Sequence, residues 1–246
     1  MNTKVTIKYD GSQFNGWQSQ KNQPDVKTVE ACINAAVSAL NKKPTKVIGS
    51  GRTDRGVHAL AQVFNFDNIH NIPMKRLKFA LNNLLPASIE VIDCEEVNDE
   101  FHARYSAKTK EYHYHIHTGS FDLFKNNYIT YLKGGFDLEI MKKTCELFIG
   151  THDFTNFNAT ELEVKANQVV TISRFDIIEN DETLTFIIEG SNFLRYMVRM
   201  LIGSVYFVGL NRLEYDQVKR ILDDPTLKQP IYKMPANGLY LAKVNY

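Results

Sequence analysis

The sequence has little of the residues that mark several whole classes of protein. It contains three cysteines among 246 residues, Cys32, Cys94 and Cys145. They lie too far apart for a C-x-x-C motif, so we expect neither a disulfide framework nor a cysteine zinc site. The 13 glycines and 7 prolines are too few for a collagen-like or linker-dominated chain. The composition is instead typical of a globular protein with reduced thiols.

Long apolar runs and an excess of charge of one sign are also missing. No stretch reaches the roughly 18 apolar residues that a membrane-spanning helix needs, which argues against a membrane protein. Residues 1–12 alternate like a strand and contain no apolar signal core, so we expect a cytoplasmic protein. The formal net charge is +1, and binding of a nucleic acid would therefore depend on a local basic patch.

The periodicity that is present predicts a mixed fold. Alternating or apolar runs predict strands at residues 4–9, 45–50, 62–66, 89–97, 110–117, 169–178, 184–189 and 239–244. Helical spacing predicts helices at 29–40, after a Thr28 cap, and at 73–84, 138–148, 193–208 and 215–222. The strands come in pairs and clusters without regular βαβ alternation. This order favours an α+β fold with a largely antiparallel sheet.

A polar loop bracketed by glycines is predicted between two strands, at residues 49–58. Its glycine spacing matches neither the dinucleotide fingerprint nor the Walker phosphate loop. It places Asp54 between Arg52 and Arg55, and neighbouring cations keep a carboxylate ionised, as a nucleophile or base requires. Guanidinium groups also suit phosphates and bases. The alternative is an exposed turn whose charges are solvated.

Two other segments carry candidate chemistry. The apolar segment 193–208 contains Arg199, whose guanidinium would need an acidic partner if buried, and Arg195 four residues earlier on the same helical face. Asp54 would suit as that partner; the alternatives are another acid or a solvated helix face.

The strand 112–117 places three histidines on one face and two tyrosines with Ile116 on the other. Histidines about 6.8 Å apart do not gather around one metal ion, so a solvated sheet face is the simpler interpretation. Tyr112 either packs in the core or stacks on a base beside a cleft.

These segments, taken in order, resemble a known family. The matching motifs are Gly16-Trp17-Gln18, Gly51-Arg52-Thr53-Asp54, Gly56-Val57-His58, Phe101-His102-Ala103-Arg104, Tyr112 with Tyr114, His152-Asp153-Phe154, Phe193 with Met197-Val198-Arg199, and Gly238-Leu239. They resemble the bacterial tRNA pseudouridine synthase A family over essentially the whole chain. The combination of the G-R-T-D-x-G-V-H loop with F-x-x-x-M-V-R is specific to that family.

The resemblance implies an α+β pseudouridine synthase fold, with an extended, mixed, mostly antiparallel sheet flanked by helices. Two similar halves, 1–108 with the catalytic loop and 109–246, would form a central cleft. The implied partner is tRNA, bound by a homodimer. The implied reaction is isomerisation of uridine to pseudouridine at positions 38, 39 and 40 of the anticodon stem-loop, with no cofactor and no metal.

The resemblance also assigns roles to residues. Asp54 matches the catalytic nucleophile, Tyr112 the tyrosine that contacts the target uracil, and Arg199 the cation that pairs with the aspartate. The substrate-binding set that we expect is Tyr112, Arg52, Arg55, His58, Arg104 and Leu239. Within it, Arg52 matches the arginine that helps to displace and hold the flipped nucleotide, and Leu239 falls in the C-terminal apolar contact. Arg55 and Asn237 depart from the family pattern, which more often has a small and an acidic residue there.

Two competing functions remain at this point. A non-catalytic RNA-binding or RNA-chaperone protein on the same fold would not need Asp54. A metal-dependent hydrolase would use the histidine strand, but the sequence shows no acidic metal cluster beside it.

Overall fold

A computed structural model describes residues 1–19, 26–132, 134–160, 167–227 and 231–246. The chain forms two compact units: unit 1 is Met1–Lys108 with Tyr240–Tyr246, and unit 2 is Thr109–Leu239. Both contain mostly antiparallel strands together with helices, which confirms the α+β class. The functional halves 1–108 and 109–246 stay a prediction.

Unit 1 is centred on the first strand of the chain. Its elements are β1 (Asn2–Tyr9), α1 (Val29–Asn41), β2 (Ile48–Gly49), β3 (His58–Asp67), α2 (Met74–Leu84), β4 (Ile89–Glu96) and, from Tyr240, the final strand β10 (Leu239–Asn245). β1 pairs antiparallel with β3 on one side and β4 on the other, and β10 joins β3 in parallel. Thr3, Val5, Ile7 and Tyr9 are buried in alternation, which places one face of β1 in the core.

Unit 2 has an antiparallel sheet of its own. Its elements are β5 (Thr109–His117), β6 (Thr130–Tyr131), α3 (Leu138–Glu146), β7 (Gly150–Asp153), β8 (Val169–Asn180), β9 (Thr183–Gly190), α4 (Met197–Gly209) and α5 (Tyr215–Asp223). The strand order is β5-β9-β8-β7. α4 is buried around most of its circumference, as expected of a central, apolar helix. Of the helices in the described part of the chain, none is long and apolar enough to cross a bilayer.

Three predicted elements differ from the structure by several residues. The strand predicted at 62–66 is longer and begins at His58, which the sequence places in the loop. The strand predicted at 45–50 is reduced to Ile48–Gly49, because α1 side chains take the preceding backbone groups: the Thr45 N–H donates to Ser38 Oγ and the Val47 N–H to Asn34 Oδ1. The helix predicted from Phe193 begins only at Met197. Here Tyr196 has a φ of 62°, in the left-handed region, so the chain before it does not continue the helix.

Candidate active site

The candidate catalytic aspartate lies on a tight turn between β2 and β3. The Val57 N–H donates to the Asp54 carbonyl oxygen at 3.1 Å, which closes a four-residue turn. Gly56 has a φ of +81°, the conformation that the third position of a type II turn requires. The Asp54 side chain is half-buried, whereas Arg52 and Arg55 are exposed. The turn thus presents a carboxylate between two solvent-facing cations.

The residue before Asp54 is fixed from two directions. The hydroxyls of Thr53 and Tyr9 share a buried hydrogen bond of 2.8 Å. The Trp17 N–H donates to the Thr53 carbonyl oxygen at 3.0 Å. Burial raises the pKa of Tyr9 to about 12, so its hydroxyl stays protonated at neutral pH and keeps this bond. Both the backbone and the side chain of Thr53 are therefore held in place.

A glycine allows the second of these contacts. Gly16 has a φ of +88°, and a Cβ placed there would lie 2.8 Å from the Thr53 carbonyl oxygen. That separation is too short for a carbon, so any other residue would push the segment away from the catalytic turn. This requirement explains the glycine in the Gly16-Trp17-Gln18 motif.

His58 lies at the other end of the loop and is 1% exposed. Its Nδ1 accepts a hydrogen bond from the Gly11 N–H at 3.0 Å, so a neutral ring carries its proton on Nε2. The ring stacks on Tyr240 with centroids 4.7 Å apart. These contacts fix the end of the loop. Contact of His58 with RNA stays a prediction.

The segment that contains Arg104 presents a cation beside aromatic rings. The His102 ring stacks on Tyr105 at 4.3 Å, and the Arg104 guanidinium carbon lies 5.9 Å from the centre of the same tyrosine ring. The Ala103 N–H donates to Asn65 Oδ1, which anchors the segment to β3. Arg104 and Tyr105 are exposed, an arrangement suited to RNA phosphates and bases.

In unit 2, β5 separates its tyrosines from its histidines as the alternation predicts. Tyr112 is 7% exposed and packs edge-on against Phe193, with ring centroids 5.2 Å apart. Its neighbour Tyr114 donates from its hydroxyl to the Pro235 carbonyl oxygen at 2.9 Å. Phe193 thus fixes one edge of the tyrosine that the resemblance places on the uracil.

The three histidines of β5 each have a polar neighbour. His113 Nε2 lies 2.8 Å from Glu111 Oε1, and the Nδ1 atoms of His115 and His117 lie 3.0 and 3.3 Å from threonine hydroxyls of β9. Desolvation lowers the pKa of His115. Among the described residues, no group of three side chains is arranged to hold a metal ion.

Arg199 is 8% exposed, as its apolar surroundings predict. Its Nε donates to the Met234 carbonyl oxygen at 2.6 Å, and the Met234 N–H donates back to the Arg199 carbonyl oxygen. The prediction that Arg195 and Arg199 share a helical face is wrong, because Arg195 precedes the start of α4.

The candidate catalytic residues are divided between the two units. Asp54 belongs to unit 1, and Tyr112 and Arg199 belong to unit 2.

The last predicted contact, Leu239, is buried at the start of β10, and its N–H donates to the Ala236 carbonyl oxygen. Nearby, Asn237 Nδ2 donates to the carbonyl oxygens of Asn126 and Ile129, while its Oδ1 accepts from Thr130 Oγ1. A carboxylate has no N–H to give to those two carbonyls. The asparagine at this position therefore suits its surroundings, where the family more often has an acid.

Sequence reasoning missed two residues that shape these sites, Tyr9 and Tyr196. Tyr9 meets Thr53 across 44 positions of sequence, and the motif that contains Thr53 does not predict the contact. Tyr196 was hidden inside an apolar run that favours a continuous helix. A polar pair between a strand end and a loop is found only once the register of β1 and β3 is known.

Comparisons with known proteins identify the family to which the chain is similar. The model of one family, described as tRNA pseudouridine synthase, matches residues 5–106 and 144–246. The tRNA pseudouridine synthase A of Acetivibrio thermocellus is 38% identical over 246 residues, covering 100% of this chain and 99% of that protein. The Bacillus subtilis protein of the same name is 40% identical over 249 residues, again covering 100% and 99%.

A solved structure of the CRISPR endoribonuclease Cse3 bound to RNA aligns over 85% of this chain and 96% of that chain, with a TM-score of only 0.21 and 10% identity. The family match covers both the Asp54 turn of unit 1 and the Arg199 helix of unit 2, and the relatives align from end to end. On these grounds the chain belongs to the tRNA pseudouridine synthase family.

Proposed function

We propose that this chain forms pseudouridine at positions 38, 39 and 40 of the tRNA anticodon stem-loop, with Asp54 as the nucleophile. As a member of its family it is an isomerase that converts uridine to pseudouridine in tRNA. The target positions, the roles of individual residues and the assembly are the parts proposed here.

The chemistry sets the demands on the site. The N1–C1′ bond breaks, the uracil turns, and a C5–C1′ bond forms; the hydrogen on C5 leaves as a proton and N1 gains one. No electrons are exchanged with a partner. The target base must leave its stack, which calls for groups that hold a displaced nucleotide. The carboxylate must be ionised and accessible to the flipped nucleotide.

The observation that carries the proposal is the geometry of the catalytic turn. Asp54 follows Thr53, whose hydroxyl shares a hydrogen bond with Tyr9 and whose carbonyl oxygen accepts one from the Trp17 N–H. A carboxylate on so constrained a turn has its position set before substrate arrives, which lowers the cost of reaching the reactive geometry. The exposed cations on either side, Arg52 and Arg55, suit the negatively charged backbone of RNA.

Within this proposal the other residues divide by task. Tyr112 contacts the target uracil, Arg199 pairs with Asp54 and keeps it ionised, and Arg52 holds the flipped nucleotide. Further RNA contacts come from Arg55, His58, Arg104 and Leu239. The support for Tyr112 and Arg199 is their fixed setting in unit 2, against Phe193 and Met234 respectively.

The proposal extends to the assembly and its location. We propose a homodimer that acts on tRNA in the cytoplasm. Support for a self-association surface comes from one short segment of unit 2, in which Phe121, Leu123 and Phe124 are all exposed. A cluster of large apolar side chains on a surface marks an interaction site more often than chance exposure does.

The test is release of tritium from unmodified tRNA labelled at uracil C5, because pseudouridine formation must expel that hydrogen. The wild-type protein should release the label, and Asp54→Ala should lose at least 10³-fold of the rate, as expected for removal of a nucleophile. Asp54→Asn is the matched variant: it keeps the size and the turn but not the carboxylate, and should be equally inactive. Sequencing of the product then locates the modified uridines.

Binding of the same tRNA by each variant completes the design. If Asp54→Asn binds tRNA and still releases tritium, Asp54 is not the nucleophile. If the wild-type protein binds tRNA and releases none, the alternative of a non-catalytic RNA-binding protein is favoured instead.

A further inference from the structure

Three cations surround one aromatic ring in unit 2. The Lys233 ammonium nitrogen lies 3.9 Å from the centre of the Tyr196 ring, and the guanidinium carbons of Arg195 and Arg199 lie at 4.8 and 5.5 Å. Arg195 Nη2 also donates to the Tyr196 hydroxyl at 3.1 Å. Arg199 is buried, but Arg195 and Lys233 are exposed. The exposed pair forms what we call the Tyr196 cluster.

The backbone on each side holds Lys233 against this ring. After it, the two hydrogen bonds between Met234 and Arg199 fix the segment to the first turn of α4. Before it, the Tyr232 carbonyl oxygen lies so close to Gly203 that a Cβ there would be only 2.1 Å away. The Tyr232 ring packs on Phe207 with centroids 4.5 Å apart. The lysine is thus presented from a segment seated on the helix.

Arg195 is held in a similar way. Its N–H donates to Thr160 Oγ1 at 3.1 Å, and its carbonyl oxygen accepts from the Ala159 N–H at 2.9 Å. Only the side chains of the Tyr196 cluster are free to adjust. A cation pair with fixed backbones loses little conformational freedom when it binds an anion.

Grouping these charges is costly without an anion. Within the residues that the structure describes, neither Arg195 nor Lys233 has a carboxylate within 4 Å. The cluster also lies at the N-terminal end of α4, where positive charge is disfavoured. Tyr196 has a left-handed backbone, which is unfavourable for a bulky residue and is one of the kinds of strain that cluster at functional sites.

We infer that Arg195 and Lys233, aligned by the Tyr196 ring, bind a backbone phosphate of the RNA substrate. Two cations held on one ring supply the positive charge that a phosphodiester requires, and guanidinium hydrogen bonds to its oxygens are strong. This inference rests on the proposed function for its choice of ligand. A backbone contact of this kind positions RNA without reading its sequence.

The experiment measures tRNA affinity as a function of salt concentration for the full chain and for Arg195→Gln/Lys233→Gln. Each phosphate contact releases counterions, so loss of one lowers the slope of log affinity against log salt by roughly 0.7–1. We expect that smaller slope, together with about tenfold weaker binding at low salt. The exchange variant Arg195→Lys/Lys233→Arg keeps both charges and should keep the wild-type slope.

The chain provides a matched control. Lys143 is an exposed lysine of unit 2 that also lies over an aromatic ring, 4.6 Å from the centre of Tyr215, and among the described residues no second cation lies over that ring. Lys143→Gln removes the same charge and the same type of contact, and should leave both the affinity and the slope unchanged.

The inference is overturned if the Gln pair keeps the wild-type slope and affinity, or if Lys143→Gln lowers them as much. Binding is measured without turnover, so the two proposals fail separately. If the wild-type protein releases tritium but the Gln pair leaves the salt slope unchanged, the proposed isomerase function stands and the phosphate site is rejected. A reduced slope in a protein that releases no tritium would retain the site and reject the proposed reaction.

Discussion

Thr53 holds the candidate catalytic turn in place, because its hydroxyl and its carbonyl oxygen both form hydrogen bonds. The bond to Tyr9 reaches the loop from the end of β1, and the bond from Trp17 reaches it from the segment after Gly11–Gln13. Two anchors from different parts of unit 1 leave the residue little room to move. Asp54 is the next residue in the chain, so the same two hydrogen bonds limit where its backbone can lie.

At this scale we predict the effect of Gly16→Ala. A left-handed backbone costs an alanine about 1–2 kcal/mol, and here the new Cβ would also meet the Thr53 carbonyl oxygen at 2.8 Å. Gly135 has a similar φ of +92° with nothing within 4 Å of a Cβ, so Gly135→Ala carries the backbone cost alone. Urea unfolding should show a larger loss of stability for Gly16→Ala, and only that variant should lose isomerase activity. Equal losses would mean that the contact with Thr53 is unimportant.

The same scale shows what a sequence can predict about single residues. The resemblance of the motif around Asp54 to the family predicts its chemistry, whereas an acid between two arginines on a glycine-flanked loop is by itself also compatible with an exposed, solvated turn. It does not indicate the support from Tyr9, which depends on the register of β1 against β3. Likewise, Asn237 departs from the family pattern in sequence, and its reason is visible only in the two carbonyl oxygens that it binds.

At the scale of elements, α4 positions several of the candidate residues of unit 2. It carries Arg199, and the segment with Lys233 and Met234 lies along its first turns. Gly203 makes this close approach of backbone to helix possible. Any side chain at Gly203 would push the Tyr232 backbone away from the helix.

We therefore predict that Gly203→Ala destabilises the protein although alanine favours helix. Its Cβ would lie 2.1 Å from the Tyr232 carbonyl oxygen, which is backbone and is held nearby by the Arg199–Met234 bonds. We expect Gly203→Ala to lower the free energy of unfolding by about 1–3 kcal/mol. A Cβ at Gly209, in the last turn of α4, would lie 2.4 Å from Met141 Cγ and 3.3 Å from the Asp137 carbonyl oxygen, so its closest contact is a side chain rather than backbone and we expect a smaller loss for Gly209→Ala.

Urea denaturation of both variants checks this comparison. A loss for Gly203→Ala that does not exceed the loss for Gly209→Ala would show that the segment from Tyr232 to Met234 yields easily.

The elements themselves are largely predictable where periodicity is long. The alternation in β5 and the helical spacing in α1 arise from burial of one face, so the sequence reports it directly. Short strands such as β6, two residues long, have no such signal. The start of α4 is not predictable from apolarity, because one left-handed residue, Tyr196, ends the helical path.

At the scale of the whole molecule, the homodimer proposal leads to a prediction. Leu123→Ser/Phe124→Ser should raise the dimer dissociation constant at least tenfold, since burying one large apolar side chain contributes about 1.5–3 kcal/mol. Phe124 is 88% exposed; Phe79, on α2 of unit 1, is 71% exposed and provides the control Phe79→Ser. Sedimentation over a range of concentrations measures both. A Leu123/Phe124 variant that stays as dimeric as the control would place the interface elsewhere.

The order of the chain has a consequence for synthesis. Unit 1 is discontinuous: Tyr240–Tyr246 completes it only after all of unit 2 has been made. Until then His58 has no stacked Tyr240, and the β3 edge around Ala59 has no β10 partner. On the ribosome, the loop that carries Asp54 is therefore translated early but acquires its last support late. A nascent chain in which translation stops before Tyr240 should expose that strand edge to chaperones and proteases.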